Sequence, residues 1–127
     1  MARRGFTLIE LVVVVTIIGL LAMIAGPQLS HARERTYLTV MRTDLRNFAT
    51  AEESYFYDFA VYASSSAAVQ QRGFETSQDV TLTVNEATSS GWSATVAHTH
   101  TPGQCYLFVG GAAPVGSAMS EGLVHCS

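Results

Sequence analysis

The chain has 127 residues, a formal net charge of −3 and no lysine, and 48% of its residues are apolar. This length provides for one small domain at most beside any membrane segment. The mild acidity argues against a general affinity for nucleic acids, which would require a basic surface.

The most apolar stretch of the chain lies behind a short basic leader. Residues 6–25 (FTLIELVVVVTIIGLLAMIA) contain a single charge, Glu10, and they follow Arg3 and Arg4. As a helix they would extend about 30 Å, which is the thickness of the hydrocarbon core of a bilayer. We therefore predict a membrane span, with the two arginines keeping the N-terminus in the cytoplasm.

Two simpler interpretations explain this segment less well. A cleaved secretory signal has a shorter apolar region and an Ala-x-Ala-like site, and no such site precedes Gly26-Pro27. A plain anchor explains the length and the flanking charge but gives no reason for Glu10. An ionisable residue inside a span is a functional candidate.

The start of the chain resembles a known processing motif. The order Arg-Arg-Gly5, Phe6-Thr7-Leu8-Ile9-Glu10 and an unbroken apolar run resembles the class III leader of bacterial type IV prepilins and pseudopilins. The resemblance implies that residues 1–5 are a leader, which a prepilin peptidase removes between Gly5 and Phe6, and that the new Phe6 amine is methylated. Loss of the leader would leave five arginines against ten acidic residues, a net charge of −5.

The resemblance also assigns assembly roles inside the span. Glu10 would neutralise the N-terminal amine of a neighbouring subunit in the apolar filament core, where a paired charge is tolerated and an isolated one is very costly. A carboxylate that merely reaches the lipid headgroups is the plain alternative. Gly19 and Pro27 stand where the family places helix-softening residues. Because Pro27 has no N–H, it predicts a kink or a local loss of helix.

After the span the pattern becomes amphipathic, and we predict that the helix continues to about Asp58. Apolar residues recur at three- and four-residue steps, which predicts a face packed on a core. Glu52 is the one charged residue that interrupts this apolar repeat. We group it, with Asp44, among the charges of the other faces of the helix. Arg42 and Arg46 are like charges four residues apart, which is mildly unfavourable in a lone helix. They would pair with acidic residues of another subunit or lie on a solvated face. The stripe comprises Leu38, Met41, Leu45, Phe48, Tyr55 and Phe59.

The remainder of the chain is predicted to form a loop and then a small sheet. Residues 60–79 are rich in breakers and are predicted to be a loop. A period of two then predicts strands at 80–85, 92–99 and 105–109, and a short fourth at 123–125 after a flexible, glycine-rich connection. Hairpin-connected strands after a helix make an α+β domain. The resemblance implies the type IV pilin fold, with three or four antiparallel strands on the long helix.

Cys105 and Cys126 are the only cysteines. In a domain outside the cytoplasm a disulfide between them would persist and stabilise the fold by roughly 3 kcal/mol. The pair resembles the cysteines that bound the disulfide loop of type IV pilins. A metal site formed by Cys126 with His98, His100 and His125 is the alternative, although their spacing matches no known cluster.

Taken together, these features predict a structural protein. The sequence carries no catalytic motif, so we expect neither an enzyme nor a cofactor. We predict a pilin in which residues 6–27 form the membrane and assembly helix. Residues 28–127 would form a domain that is periplasmic at first and surface-exposed after assembly. The partners would be the inner membrane before assembly, a prepilin peptidase, an assembly platform and ATPase, and copies of the chain in a helical homopolymer.

Other roles within the same family stay open. A minor pilin or a type II secretion pseudopilin is the first alternative, but the Tyr-Pro-Thr pattern expected of a major pseudopilin is absent. A competence pilin that takes up DNA, or an adhesin, is less favoured. Only Arg72 lies beyond Arg46, so the distal domain offers little positive charge for phosphates.

Overall fold

A computed structural model describes residue 1 and residues 4–127 of the chain. Ala2 and Arg3 belong to the predicted leader and lie outside the described residues, so the orientation role predicted for Arg3 stays a prediction. The chain divides into two compact units, Met1–Glu34 and Arg35–Ser127. A helix of 52 residues, α1 (Leu8–Phe59), runs through both, close to the bounds that the sequence predicts.

The first unit consists mainly of the apolar part of α1, and its side chains are uncovered. Residues 4–34 are all exposed. Within the described part of the chain, α1 is the one helix with the length and composition to cross a membrane. The hydroxyl of Thr16 donates to the carbonyl of Val12 at 2.8 Å. This polar side chain is therefore satisfied inside the helix, as a lipid environment requires.

Pro27 does not interrupt α1, so the local loss of helix that was one of its two predicted effects does not occur. Proline removes one backbone donor and crowds the carbonyl four residues earlier, that of Met23, at a cost of about 3 kcal/mol. The hydroxyl of Ser30 donates to the Pro27 carbonyl at 2.8 Å. One missing bond in so long a helix is insufficient to end it.

The second unit packs the C-terminal part of α1 on an antiparallel sheet, which is the predicted α+β architecture. Four strands follow one another in the order β1-β2-β3-β4, each paired with the next. A short helix precedes them. The elements are α2 (Ser66–Gln70), β1 (Val80–Ala87), β2 (Gly91–His98), β3 (Gln104–Gly110) and β4 (His125–Cys126).

The short helix α2 corrects the prediction of a loop over residues 60–79. Ser66 is the first residue of α2, and the side chain of Ser65 before it makes no capping hydrogen bond. Ser65 has an extended backbone at the N-cap position, where serine is a favoured residue. Val69 of α2 is fully buried, and such tertiary packing can stabilise a helix too short to form alone.

The core lies where α1 faces the sheet, as the amphipathic stripe predicts. Met41, Leu45 and Phe48 are fully buried. The Phe48 ring meets the rings of Phe74 and Trp92 edge-on, at centroid distances of 5.2 and 5.1 Å. Burying an apolar side chain of this size contributes about 2–3 kcal/mol. These contacts therefore fix the position of the helix on the sheet.

The predicted stripe holds as far as Tyr55 but fails at Phe59, the last residue of α1. Tyr55 is half-buried, and 56% of Phe59 is exposed. Their ring centroids lie 4.5 Å apart, and the guanidinium of Arg72 lies 5.8 and 5.5 Å from the two centroids. Tyr55 packs against the main core, whereas Phe59 does not belong to the core and is covered in part by this cation.

The other face of the sheet carries a smaller cluster. Phe108, Ala112 and Ala118 are buried there, with Tyr106 packed against them. The segment after β3, predicted as a flexible connection, thus folds back and covers part of the sheet. This cover explains why Ser93, which points away from the main core, is only 2% exposed.

Asp44 and Glu52 are buried, contrary to their predicted place on the other faces of α1. Their exposed fractions are 2% and 0%. Asp44 accepts hydrogen bonds from the backbone N–H and the hydroxyl of Ser77, both at 2.8 Å. Glu52 accepts one from the backbone N–H of Ala63 at 2.7 Å. The two carboxylates attach both ends of the α1–β1 connection to the helix.

Glu52 is incompletely satisfied. Its Oε1 has no hydrogen-bond partner among the residues that the structure describes. Burial raises the pKa of Glu52 to about 7, and the charge of Glu53 adds to this effect, whereas the Ala63 hydrogen bond opposes it. The unfolded chain, with a pKa near 4.5 for this group, loses the proton first. Ionisation of Glu52 therefore destabilises the fold.

A disulfide joins Cys105 of β3 to Cys126 of β4, as the resemblance implied. It removes Cys126 from the alternative metal site. The histidines have other contacts, since His98 stacks on Tyr37 at 4.4 Å and His100 lies 3.5 Å from Asp79. No group of three metal-ligating side chains is found in the described ranges.

We expect Glu52→Gln to remove a pH dependence of stability. Wild-type stability should fall as the pH rises from 4.5 to about 7, where Glu52 ionises in the folded chain. The free energy of unfolding of the variant should be close to that of wild type at about pH 5, and it should be larger by up to about 3 kcal/mol at about pH 8. The free energies of unfolding of wild type and variant are measured by urea unfolding of the full chain in detergent micelles. The signal is the fluorescence of Trp92, the only tryptophan.

Glu53→Gln is the matched control, because Glu53 is the exposed neighbour of Glu52. It should keep most of the wild-type pH dependence. A pH dependence unchanged by Glu52→Gln would assign the effect to another group.

We expect the double variant Cys105→Ser, Cys126→Ser to lose about 3 kcal/mol of unfolding free energy, because the 21-residue separation sets the loop closed by the bridge. The same Trp92 assay measures the loss. Wild type in a reducing agent should unfold like the variant. Equal stability of the oxidised wild type and the variant would contradict this expectation.

Candidate functional site

Thr7 and Glu10 fix the start of α1 by reciprocal hydrogen bonds. Thr7 directly precedes Leu8, the first helical residue. Its hydroxyl oxygen accepts the N–H of Glu10 at 3.3 Å. Glu10 Oε2 accepts the backbone N–H of Thr7 at 2.9 Å and its hydroxyl at 2.8 Å. This arrangement is a capping box, which satisfies two donors that the helix leaves free at its start.

No role is predicted for Thr7 above, although its signal is present in the sequence. Thr-x-x-Glu ahead of an apolar run is the sequence signature of a capping box. Glu10 therefore has a function in its own chain, besides the role predicted for it in assembly. Its Oε1 stays without a hydrogen bond among the described residues, and its charge suits the positive end of the helix dipole.

Gly5 and Gly19 are not required by the fold of the chain itself. A Cβ added at either position would meet no atom within 4 Å. Phe6, beside Gly5, is 91% exposed. Neighbouring atoms of the chain itself therefore give no steric reason for glycine at either position.

The structure brings together only some of the predicted site residues. Gly5 and Phe6 adjoin the capping box, and the two cysteines are bonded in the second unit. Gly19 and Pro27 lie further along α1, at about 13 and 25 Å from Glu10 by the helical rise. These residues do not form a pocket. Glu10, Gly19 and Pro27 lie at successive positions along the exposed part of α1.

The chemistry of this helix is that of an interface. An exposed apolar surface of this length is stable only when lipid or other apolar side chains cover it. A single carboxylate at its start needs a cation once water is excluded. The site is suited to binding a membrane and similar helices.

Comparisons with known proteins support this description. Residues 1–26 match the family model of the prokaryotic N-terminal methylation motif. The chain is 34% identical over 96 residues to the type IV wide pilus major component PilA4 of Thermus thermophilus, a match that covers 75% of this chain and 73% of the relative.

Two further relatives match over shorter lengths. The type IV major pilin protein PilA of Myxococcus xanthus is 38% identical over 74 residues, or 56% of this chain and 34% of the relative. The type II secretion system core protein G of Pseudomonas aeruginosa is 37% identical over 73 residues, or 58% of this chain and 48% of the relative.

The methylation motif, the long helix on a four-stranded antiparallel sheet, and a pilus component matched over most of both chains agree with one another. The chain therefore belongs to the type IV pilin superfamily and is a structural pilin subunit.

Proposed function

We propose that this chain polymerises into an extracellular type IV pilus filament after a prepilin peptidase has removed its leader. One observation carries the proposal: residues 6–25 are all exposed and mostly apolar, with Glu10 as their single charge. In the membrane, lipid covers this surface. In the filament, the same helices of neighbouring copies cover it, and the sheets form the outer surface.

Processing precedes assembly in this proposal. The peptidase cuts between Gly5 and Phe6, and the new Phe6 amine is methylated. The match of residues 1–26 to the methylation motif supports this step. The open space around Gly5 supports it as well, because the fold gives no other reason for glycine there and an enzyme can approach a backbone without a Cβ closely.

Glu10 then joins neighbouring subunits. In the filament core its carboxylate neutralises the Phe6 amine of the next copy, since leaving either charge unpaired there would cost several kcal/mol. The capping box supports this role, because it holds the carboxylate at the start of the helix and leaves Oε1 free. Gly19 and Pro27 allow close approach and local softening of the helix during packing.

The proposed topology places the N-terminus in the cytoplasm and residues 28–127 outside it. Arg4, beside the span, and the positive-inside rule support this orientation. The Cys105–Cys126 disulfide supports it too, since such bonds persist outside the cytoplasm. An assembly platform protein and an ATPase would move the subunit from the membrane into the filament.

We expect filaments sheared from the cell surface to contain this chain in a mature form. Mass spectrometry should find an N-terminus at methylated Phe6 and an oxidised Cys105–Cys126 pair. Membrane fractions of cells without the peptidase should keep residues 1–5 and yield no filaments. Confinement of the chain to the membrane in cells that make pili would contradict the proposal.

We expect Glu10→Ala and Glu10→Gln to insert into the membrane but to lower filament yield at least about tenfold, because each removes the partner of a buried amine. Glutamine retains an oxygen that can accept the Thr7 N–H but carries no charge. Glu10→Gln therefore tests the loss of the charge while the capping hydrogen bond is kept. Glu34→Gln, at an exposed acid of the same helix, is the control and should assemble normally. Normal assembly of Glu10→Gln would rule out the charge pairing.

A further inference from the structure

Three arginines form a stripe along α1 in the second unit. Arg35, Arg42 and Arg46 are spaced by seven and four residues, so they project from one side of the helix. All three are exposed, and none forms an ion pair within the described part of the chain. Arg42 donates only to the sulfur of Cys126, at 3.3 Å. This arginine stripe therefore carries three uncompensated charges.

A groove with an uncompensated acid lies on the neighbouring side of the same helix. Its volume is about 410 Å³, and Glu75 lines it together with Asn47, Thr50 and Ser54 of α1. These three helix residues lie about 100° around α1 from the arginine stripe. Glu75 is exposed and makes no hydrogen bond or ion pair to any described residue.

The groove is suited to receive a guanidinium. Besides the Glu75 carboxylate it offers the side-chain oxygens of Asn47 and Thr50, and arginine has five N–H donors that suit such a set. Arg72 also lines the groove but does not oppose a second cation there, because its own charge is paired with Asp58.

We propose that the arginine stripe of one copy of this chain binds the Glu75 groove of the next copy. The inference rests on the proposed polymerisation and adds to it a specific contact between the second units. An open helical polymer needs two different, complementary surfaces on each subunit. The stripe and the groove are two such surfaces, opposite in charge and on separate sides of one helix.

The charge of the domain favours a second copy over other partners. Residues 35–127 carry four arginines against eight acidic residues, a net charge of −4. A nucleic acid would be repelled by this excess, and a single row of three arginines neutralises few phosphates. A second copy presents the matching acid at a defined position, and complementary charges fix the register of an interface more than they add affinity.

Charge reversal in the full chain, expressed with its assembly machinery, tests the proposal. Glu75→Arg should lower the yield of sheared filaments at least about tenfold, because it opposes like charges across the contact. Arg35→Glu, Arg42→Glu and Arg46→Glu are then added to the same chain, one at a time. Filaments should return when the reversed arginine is the one that contacts the groove. The position along α1 of the arginine that restores filaments gives the shift between neighbouring copies along the filament axis. Thr83→Arg, on an exposed position of β1, is the control and should assemble like wild type.

Co-expression of two variants distinguishes a contact between copies of the chain from a contact within one copy. Chains with Glu75→Arg alone and chains with the restoring arginine substitution alone should each fail to assemble. Expressed together they should form mixed filaments, because each then meets an opposite charge on its neighbour. Normal membrane levels and an oxidised disulfide in every variant show that folding is intact.

Three results would overturn the inference. Normal filaments from Glu75→Arg would exclude the groove. Failure of all three arginine reversals to restore assembly would exclude the stripe as its partner. Normal filaments from all three single arginine reversals in an otherwise wild-type chain would exclude the stripe from assembly. Absence of wild-type chain from filaments would instead contradict the proposed function, so the two failures are distinguishable.

Discussion

The second unit depends on the contact of Phe48 with Trp92 and Phe74. This aromatic centre joins three parts of the chain that are distant in sequence: the helix α1, the sheet, and the segment between them. Because all three meet at one side chain of α1, the helix has one position on the sheet. The buried carboxylates of Asp44 and Glu52 then hold the connecting segment in place, at an electrostatic cost that the apolar packing offsets.

Position along α1, and not residue type, decides what each acid does. Glu10 closes a capping box at the start of the helix. Asp44 is buried with both oxygens bonded to Ser77, whereas Glu52 is buried with one oxygen unsatisfied. Glu53, one residue further, is exposed and accepts a hydrogen bond from the hydroxyl of Tyr62 at 3.3 Å. The same functional group thus serves as cap, anchor and surface charge within one helix.

The sequence predicted what depends on periodicity and missed what depends on tertiary partners. The long helix, the first three strands and the burial of Met41, Leu45 and Phe48 follow from periods of 3.6 and two, whereas β4 (His125–Cys126) shares only His125 with the strand predicted at 123–125. The burial of Asp44 does not, and neither do the hydrogen-bond donors of Asp44 and Glu52, because only the fold brings Ser77 and Ala63 near. The cover of Phe59 by Arg72 has the same origin. Thr7 differs, since its capping signature was readable.

The position of the capping box has a consequence for maturation. Both of its residues lie on the C-terminal side of Gly5, so a cut after Gly5 leaves the first turn of α1 unchanged. The helix does not need its leader to begin where it does. Leader removal and amine methylation would act on a short non-helical end that precedes a preformed helix, and neither reaction would have to unwind its substrate.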